Sequence, residues 1–240
     1  MRPGLFISII FVLAIIVSTA IYLYLLPEYI QKGGPLVVVL ITISIMNITF
    51  IIERALTLRK ARGKRSSVVF LKETMDAIRR SDLDRTIALC NAQRGTLANV
   101  LRSGIERFQQ VSKENLTSDR QIAEVRRAID EANALEMPLL ERNLIALSTI
   151  ASIATMVGLL GTTIGMIRSF AAMGKAGGAP DAIQLAIGIS EALINTAGGL
   201  FAAIVGIVAY NYFVNRVDTF TYQIDEISQE MIAMLTGRAA

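Results

Sequence analysis

Residues 143–167 read NLIALSTIASIATMVGLLGTTIGMI, 25 residues without a charged side chain. An α-helix rises 1.5 Å per residue, so about 20 apolar residues cross a hydrocarbon core of roughly 30 Å. The run predicts a membrane helix and sets the class of the chain: all-α, a polytopic membrane protein. Working outward, Lys175 to Pro180 (KAGGAP) predicts a tight turn, with Asp181 placed to cap the next helix. Ala182 to Asn215 is then a further span whose single charge is Glu191.

Towards the N-terminus, Leu36 to Ile52 is an uncharged run of 17 residues, which Glu53 and the stem of Arg54 can lengthen by snorkelling. Arg54 to Arg65 (RALTLRKARGKR) follows, with six basic residues and no acid. Basic clusters flanking spans stay in the cytoplasm, so this end is expected there. Leu5 to Leu26 is uncharged over 22 residues. Arg2 before it and Ser18-Thr19-Ala20 within it are like a secretory signal. The apolar run continues past Ala20, so a retained helix is expected. Pro27 to Pro35 (PEYIQKGGP) is a turn-rich connector on the periplasmic side. Four spans with both termini in the cytoplasm are expected, in the bacterial inner membrane.

Ser66 to about Arg142 is polar, with apolar residues at helical spacing: Val69, Leu71, Met75, Ile78, then Leu83, Ile87 and Leu89. Ser118 and Gln121 are spaced as a capping box. The helix they open places Ile122, Val125, Ile129, Ala132 and Leu135 on one face. Pro138 should kink it, and the pattern runs on through Leu139, Leu140 and Leu144, predicting one helix that continues into the membrane. The expected organisation is an extra N-terminal span and connector (1–35), a second span (36–60), a cytoplasmic helical bundle (61–142), two C-terminal spans (143–215) and an amphipathic cytoplasmic tail (216–240).

The composition agrees. The 240 residues are 53% hydrophobic, with mean hydropathy +0.52. A globular domain is nearer 45–50% apolar. Lys and Arg number 24 against 20 Asp and Glu, a net charge of +4. The basic residues sit beside apolar runs, which argues for membrane topology and against nucleic acid. There is no His, which excludes imidazole metal sites, Ser-His-Asp triads and His proton relays. Cys90, the only cysteine, allows no internal disulfide and no CxxC site. Neither enzymatic chemistry, nor a cofactor, nor a metal is expected.

In residues 143–167 and just beyond, Gly158, Gly161, Thr162, Gly165 and Ser169 fall on one helical face. In the last span Gly188, Glu191, Ala192, Asn195, Thr196, Gly199, Ala202, Ala203 and Gly206 form a comparable stripe. Such stripes are ordinary devices for packing membrane helices closely. Glu191 adds something else. A charge at the centre of a span costs at least about 2.5–3.5 kcal/mol, faces protein or water, and marks an ion pathway. The alternative is a structural carboxylate satisfied by a partner such as Arg168. Thr162 and Thr196 are suited to the same path, because a hydroxyl both donates and accepts. A lone intramembrane Thr more often bonds back to its own helix.

Two stretches carry a resemblance. Ser148-Thr149-Ile150-Ala151-Ser152 with Val157 to Met166 (VGLLGTTIGM) resembles the penultimate-helix signature of the MotA/TolQ/ExbB proton channel family. Gly188 to Ile204 (GISEALINTAGGLFAAI) with Val208-Ala209-Tyr210-Asn211 resembles its last-helix signature. The likeness covers roughly residues 35–225, including the exit Ile51 to Lys60 (IIERALTLRK), and is closest to the ExbB branch. It implies a homo-oligomer, a pentamer, around a central lumen filled by a dimer of a single-span partner of the ExbD/TolR/MotB type. The partner's Asp would carry the proton, and a TonB-like protein would receive the work. It also implies that Thr162 and Thr196 face the pore, with Glu191 the acidic residue of the last helix. Three features depart from the pattern: Val205 stands where Pro is usual, Asn195 stands where Ala is usual and adds an amide expected to belong to the proton pathway, and the helix at Leu5 to Leu26 is additional. A TolQ-like or stator-type role is the near alternative. A membrane scaffold without ion flux is the alternative of another class.

Overall fold

The computed structural model describes residues 3–114, 116–175 and 182–239. Among them every regular element is helical: α1 (Pro3–Tyr24), α2 (Glu28–Gln31), α3 (Leu36–Arg62), α4 (Ser67–Arg79), α5 (Leu83–Gln93), α6 (Thr96–Val111), α7 (Ser118–Glu141), α8 (Leu144–Lys175) and α9 (Ala182–Ala239). The turn expected after Lys175, with its cap at Asp181, falls outside the described residues. Three stretches are long and apolar enough to cross a membrane: Leu36–Arg79, Ser118–Ala172 and Ala182–Thr236. Ser8–Tyr24 is a shorter apolar helix. The protein is therefore a helical membrane protein.

The chain divides into two units, Met1–Glu53 with Asn143–Tyr212, and Arg54–Arg142 with Phe213–Ala240. In the first, α8 and the N-terminal part of α9 meet along their glycine faces. A Cβ on Gly199 would lie 2.7 Å from the Ala154 carbonyl oxygen and 2.7 Å from Gly158 Cα. One on Gly165 would lie 2.7 Å from the Gly188 carbonyl oxygen. Only glycine permits that approach. The N-terminal part of α3 completes the core through Ile43, which packs with Ala154, Ala202 and Ala203. Asn47 on α3 is buried and donates to the Ala202 carbonyl at 2.9 Å. On the far side of α3, the Ser18 and Thr42 hydroxyls join α1 to it at 2.7 Å.

In the second unit α4 to α7 and the end of α9 enclose an apolar core that includes Phe70, Ile78, Leu101, Ile105, Val125, Ile129, Ile224 and Met231. Asp82 caps α5 by accepting from the Arg85 amide at 3.0 Å. Buried Gln93 holds the α3–α4 turn, donating to the Arg62 and Arg65 carbonyls at 3.2 and 2.9 Å and accepting from the Arg65 amide at 3.1 Å. Met75, Ile78, Val125 and Ile129 are buried as their spacing predicts, whereas Val69 and Leu135 are exposed. The buried residues of α7 are Val125, Ile129 and Leu140, and Leu135 points about 140° around the helix from Leu140.

Two local expectations are corrected. The capping box does not form: the Thr117 N-cap makes no side-chain bond, and Gln121 Nε2 donates to the Leu116 carbonyl at 3.2 Å. The helix approaching the third span is not continuous. Pro138 sits inside α7, which ends at Glu141, and Asn143 takes φ +63° before α8 begins. Asparagine is among the few residues that adopt that conformation readily.

Candidate functional site

Glu191 lies in the N-terminal half of the α9 span and is buried, with 10% of its side chain exposed. Its Oε1 pairs with Nη1 of Arg168 on α8, whose side chain is 53% exposed. The carboxylate is therefore satisfied within the chain, while its partner reaches outward. An ion pair of this kind lies between two limits. Exposed pairs contribute about 0–1 kcal/mol, and breaking a fully buried pair costs roughly 3–5 kcal/mol.

Asn195, one turn along α9, is fully buried. Its Nδ2 donates to the Gly33 carbonyl at 2.8 Å, and its Oδ1 is buried without a hydrogen-bond partner. Gly161 makes room for it, since a Cβ there would collide with the Asn195 side chain. Thr196 is half-buried and donates to the Gly158 carbonyl at 3.3 Å, bonding α9 to α8. Thr162, also half-buried, donates to the Leu159 carbonyl of its own helix at 2.6 Å. Ser169 is buried where α8 meets α9, against Gly188, and donates to the Gly165 carbonyl at 3.1 Å.

The structure thus brings Glu191, Asn195 and Thr196 onto the stripe of α9 that packs against α8. Gly158, Gly161, Gly165, Gly188 and Gly199 all lie in that contact. At each of them an added Cβ would meet the facing helix within 3.1 Å. Thr162 is bonded to its own helix, and Asn195 is enclosed by protein within this chain.

Two contributors carry no obvious signal in the sequence. Gly33 and Gly34, in the connector before α3, touch the site: Gly33 receives Asn195, and a Cβ at Gly34 would lie 2.7 Å from Glu191 Oε1. A Gly-Gly pair reads as turn chemistry and says nothing of what it packs against. The second is Asn47, whose Oδ1 is also buried without a partner. An amide inside an uncharged span is the only signal it offers.

The chain resembles known proteins over this same region. The profile of the MotA/TolQ/ExbB proton channel family matches residues 92–226, which include α8, both site-bearing stripes and most of α9. The Tol-Pal system protein TolQ of Haemophilus influenzae is 31% identical over 212 residues, covering 85% of this chain and 88% of its own. TolQ of Pseudomonas aeruginosa is 35% identical over 57% of this chain and 59% of its own. The biopolymer transport protein ExbB of Helicobacter pylori is 41% identical over 40% of this chain and 64% of its own. With a profile spanning more than half of its length and a relative aligned almost end to end, this chain belongs to the MotA/TolQ/ExbB proton channel family.

Proposed function

We propose that the protein is the proton-channel subunit of an inner-membrane motor that couples the proton-motive force to work at the outer membrane. Family membership supports the class of activity. The observation that supports the assignment of the path is Glu191, a carboxylate buried in an apolar helix where α9 packs on α8 and paired with Arg168. Ionisable side chains inside spans are rare and pair with one another along ion pathways, as Glu191 pairs with Arg168.

On this reading α1, α3, α8 and α9 each span the membrane, with both termini in the cytoplasm. Five copies surround a dimer of a single-span ExbD/TolR-like partner. Thr162 and Thr196 hydrate the path, Glu191 biases it, and Asn195 braces the wall from behind. The partner's carboxylate gains and loses the proton. Each proton moving down 100 mV releases about 2.3 kcal/mol.

An ExbB-like role, with a TonB-like recipient, has its support in the 41% identity to the Helicobacter ExbB. A TolQ-like role in outer-membrane integrity has support of a different kind, the 85% coverage of this chain by the Haemophilus TolQ. Loss of energised uptake on deleting the gene indicates the first, and detergent sensitivity the second.

Proton uptake by proteoliposomes holding the chain and its partner, driven by a potassium diffusion potential, tests the channel itself. The native complex is expected to acidify the lumen, and Glu191→Gln and Thr196→Val to slow it by about tenfold or more. If both variants conduct like the native complex, the pathway is elsewhere. If the native complex conducts nothing, the scaffold reading replaces this one.

A further inference from the structure

We infer that the Gly33–Gly34 corner is a positioning element of the proton site, holding the Glu191 carboxylate against Arg168. The inference rests on Glu191 being part of the proton path. Three observations carry it, all within one unit of the structure.

The first is conformational. Gly34 takes φ +73°, a backbone state that side-chain-bearing residues rarely adopt. The second is steric. A Cβ at Gly34 would lie 2.7 Å from Glu191 Oε1 and 3.8 Å from Arg168 Nη1, so the corner touches the ion pair. The carboxylate has its Arg168 partner on one side and the bare backbone of Gly34 on another.

The third is the clamp that fixes the corner. The Gly33 carbonyl accepts from Asn195 Nδ2 at 2.8 Å, and Gly33 is itself buried, with no space for a Cβ between Val37 and Ile194. Asn195 in turn is lodged against Gly161 of α8. A closed ring results: Gly161 seats Asn195, Asn195 holds Gly33, and Gly34 meets Glu191, which pairs with Arg168 back on α8. The amide that distinguishes this last helix from its resembling signature is a bolt in that ring. Gly33 and Gly34 act through Glu191 and touch no proton themselves.

The test uses the full chain with its partner in proteoliposomes, reading the pH dependence of proton uptake and the assembly's size together. Gly34→Ala adds a methyl against the carboxylate and strains the backbone. Gly34→Asn adds the same obstruction but tolerates the left-handed conformation, so it separates crowding from misfolding. Both are expected to assemble normally, to lose uptake by about tenfold, and to shift its pH midpoint. Glu191→Asp withdraws the carboxylate by one methylene, and Gly34→Asn combined with Glu191→Asp is expected to conduct better than Gly34→Asn alone. Gly63→Ala, at a turn of φ +87° in the other unit, controls for backbone strain and should leave the midpoint in place. Native uptake and midpoint in assembled Gly34→Asn overturn the inference, as does a shortened carboxylate that restores nothing. Glu191→Gln distinguishes the two layers: if it conducts normally, the channel reading fails as well. If it is inactive while Gly34→Asn is native, only the corner's role is lost.

Discussion

Cys90 illustrates how far a single residue can be read. Its isolation in the sequence argues for a quiet structural thiol, and the fold places it in the core of the second unit, 2% exposed. Burial pushes the thiol from its ordinary 9.0 up to about 12; the Arg102 charge pulls it down and Glu106 pushes it further up. Only the thiolate is a nucleophile. Iodoacetamide at pH 8 is therefore expected to leave the folded protein unlabelled and to label Cys90 once the chain is denatured, as read by mass spectrometry. The sign for stability follows. The folded state holds the thiol proton more tightly, so its contribution is complete below about pH 9 and declines as pH rises towards 12. Rapid labelling of the folded chain would mean that this core opens. Glu191 is less legible at this scale. The sequence offers Arg168 as an alternative partner and cannot choose, because a span records no distance between helices. The structure supplies the pair, so the carboxylate carries a structural contact whatever else it does.

Among elements, the glycine faces of α8 and α9 are legible because a helical repeat of small residues has few uses in lipid beyond close approach. Neighbouring glycines nevertheless differ. A Cβ on Gly199 meets backbone, at 2.7 Å from both the Ala154 oxygen and Gly158 Cα. A Cβ on Gly198 meets only the Leu40 Cδ1 methyl, at 3.3 Å, the end of a side chain that can give way. Gly199→Ala is expected to destabilise by about 1–3 kcal/mol through overpacking. Gly198→Ala should be neutral or stabilising by up to about 1 kcal/mol, since alanine favours helix over glycine. Thermal unfolding in detergent measures both, and equal effects at the two positions would refute the close contact between α8 and α9. The interruption between α7 and α8 is illegible for the opposite reason. Apolar periodicity survives a one-residue change of backbone conformation at Asn143, so the pattern implies one helix where the chain forms two. The capping spacing at Ser118 misleads in the same way. A spacing permits a bond, but Gln121 finds its acceptor in Leu116.

On the scale of the whole molecule, the two units bury their apolar side chains differently. The second buries its large apolar side chains in a core drawn from segments far apart in sequence. The first leaves Leu159, Leu193, Phe201, Ile204 and Val208 exposed along α8 and α9, a surface that water would not tolerate but lipid or a neighbouring subunit would cover. α3 begins as an apolar helix and ends in Arg59, Lys60 and Arg62, so on the proposed reading the positive-inside rule predicts a cytoplasmic turn after it and a periplasmic connector before it. A chain with one buried cysteine is convenient for testing this. In a Cys90→Ser background, Glu28→Cys and Lys64→Cys each place a thiol at an exposed position on either side of α3. A membrane-impermeant maleimide is expected to label Glu28→Cys in intact spheroplasts and Lys64→Cys only after lysis or in inverted vesicles. Labelling of both from outside would leave α3 uncrossed and remove the barrier a proton path needs. The reverse pattern would keep the barrier but invert the chain, placing Glu191 and the Gly33–Gly34 corner at the cytoplasmic mouth, where the driving force arrives last.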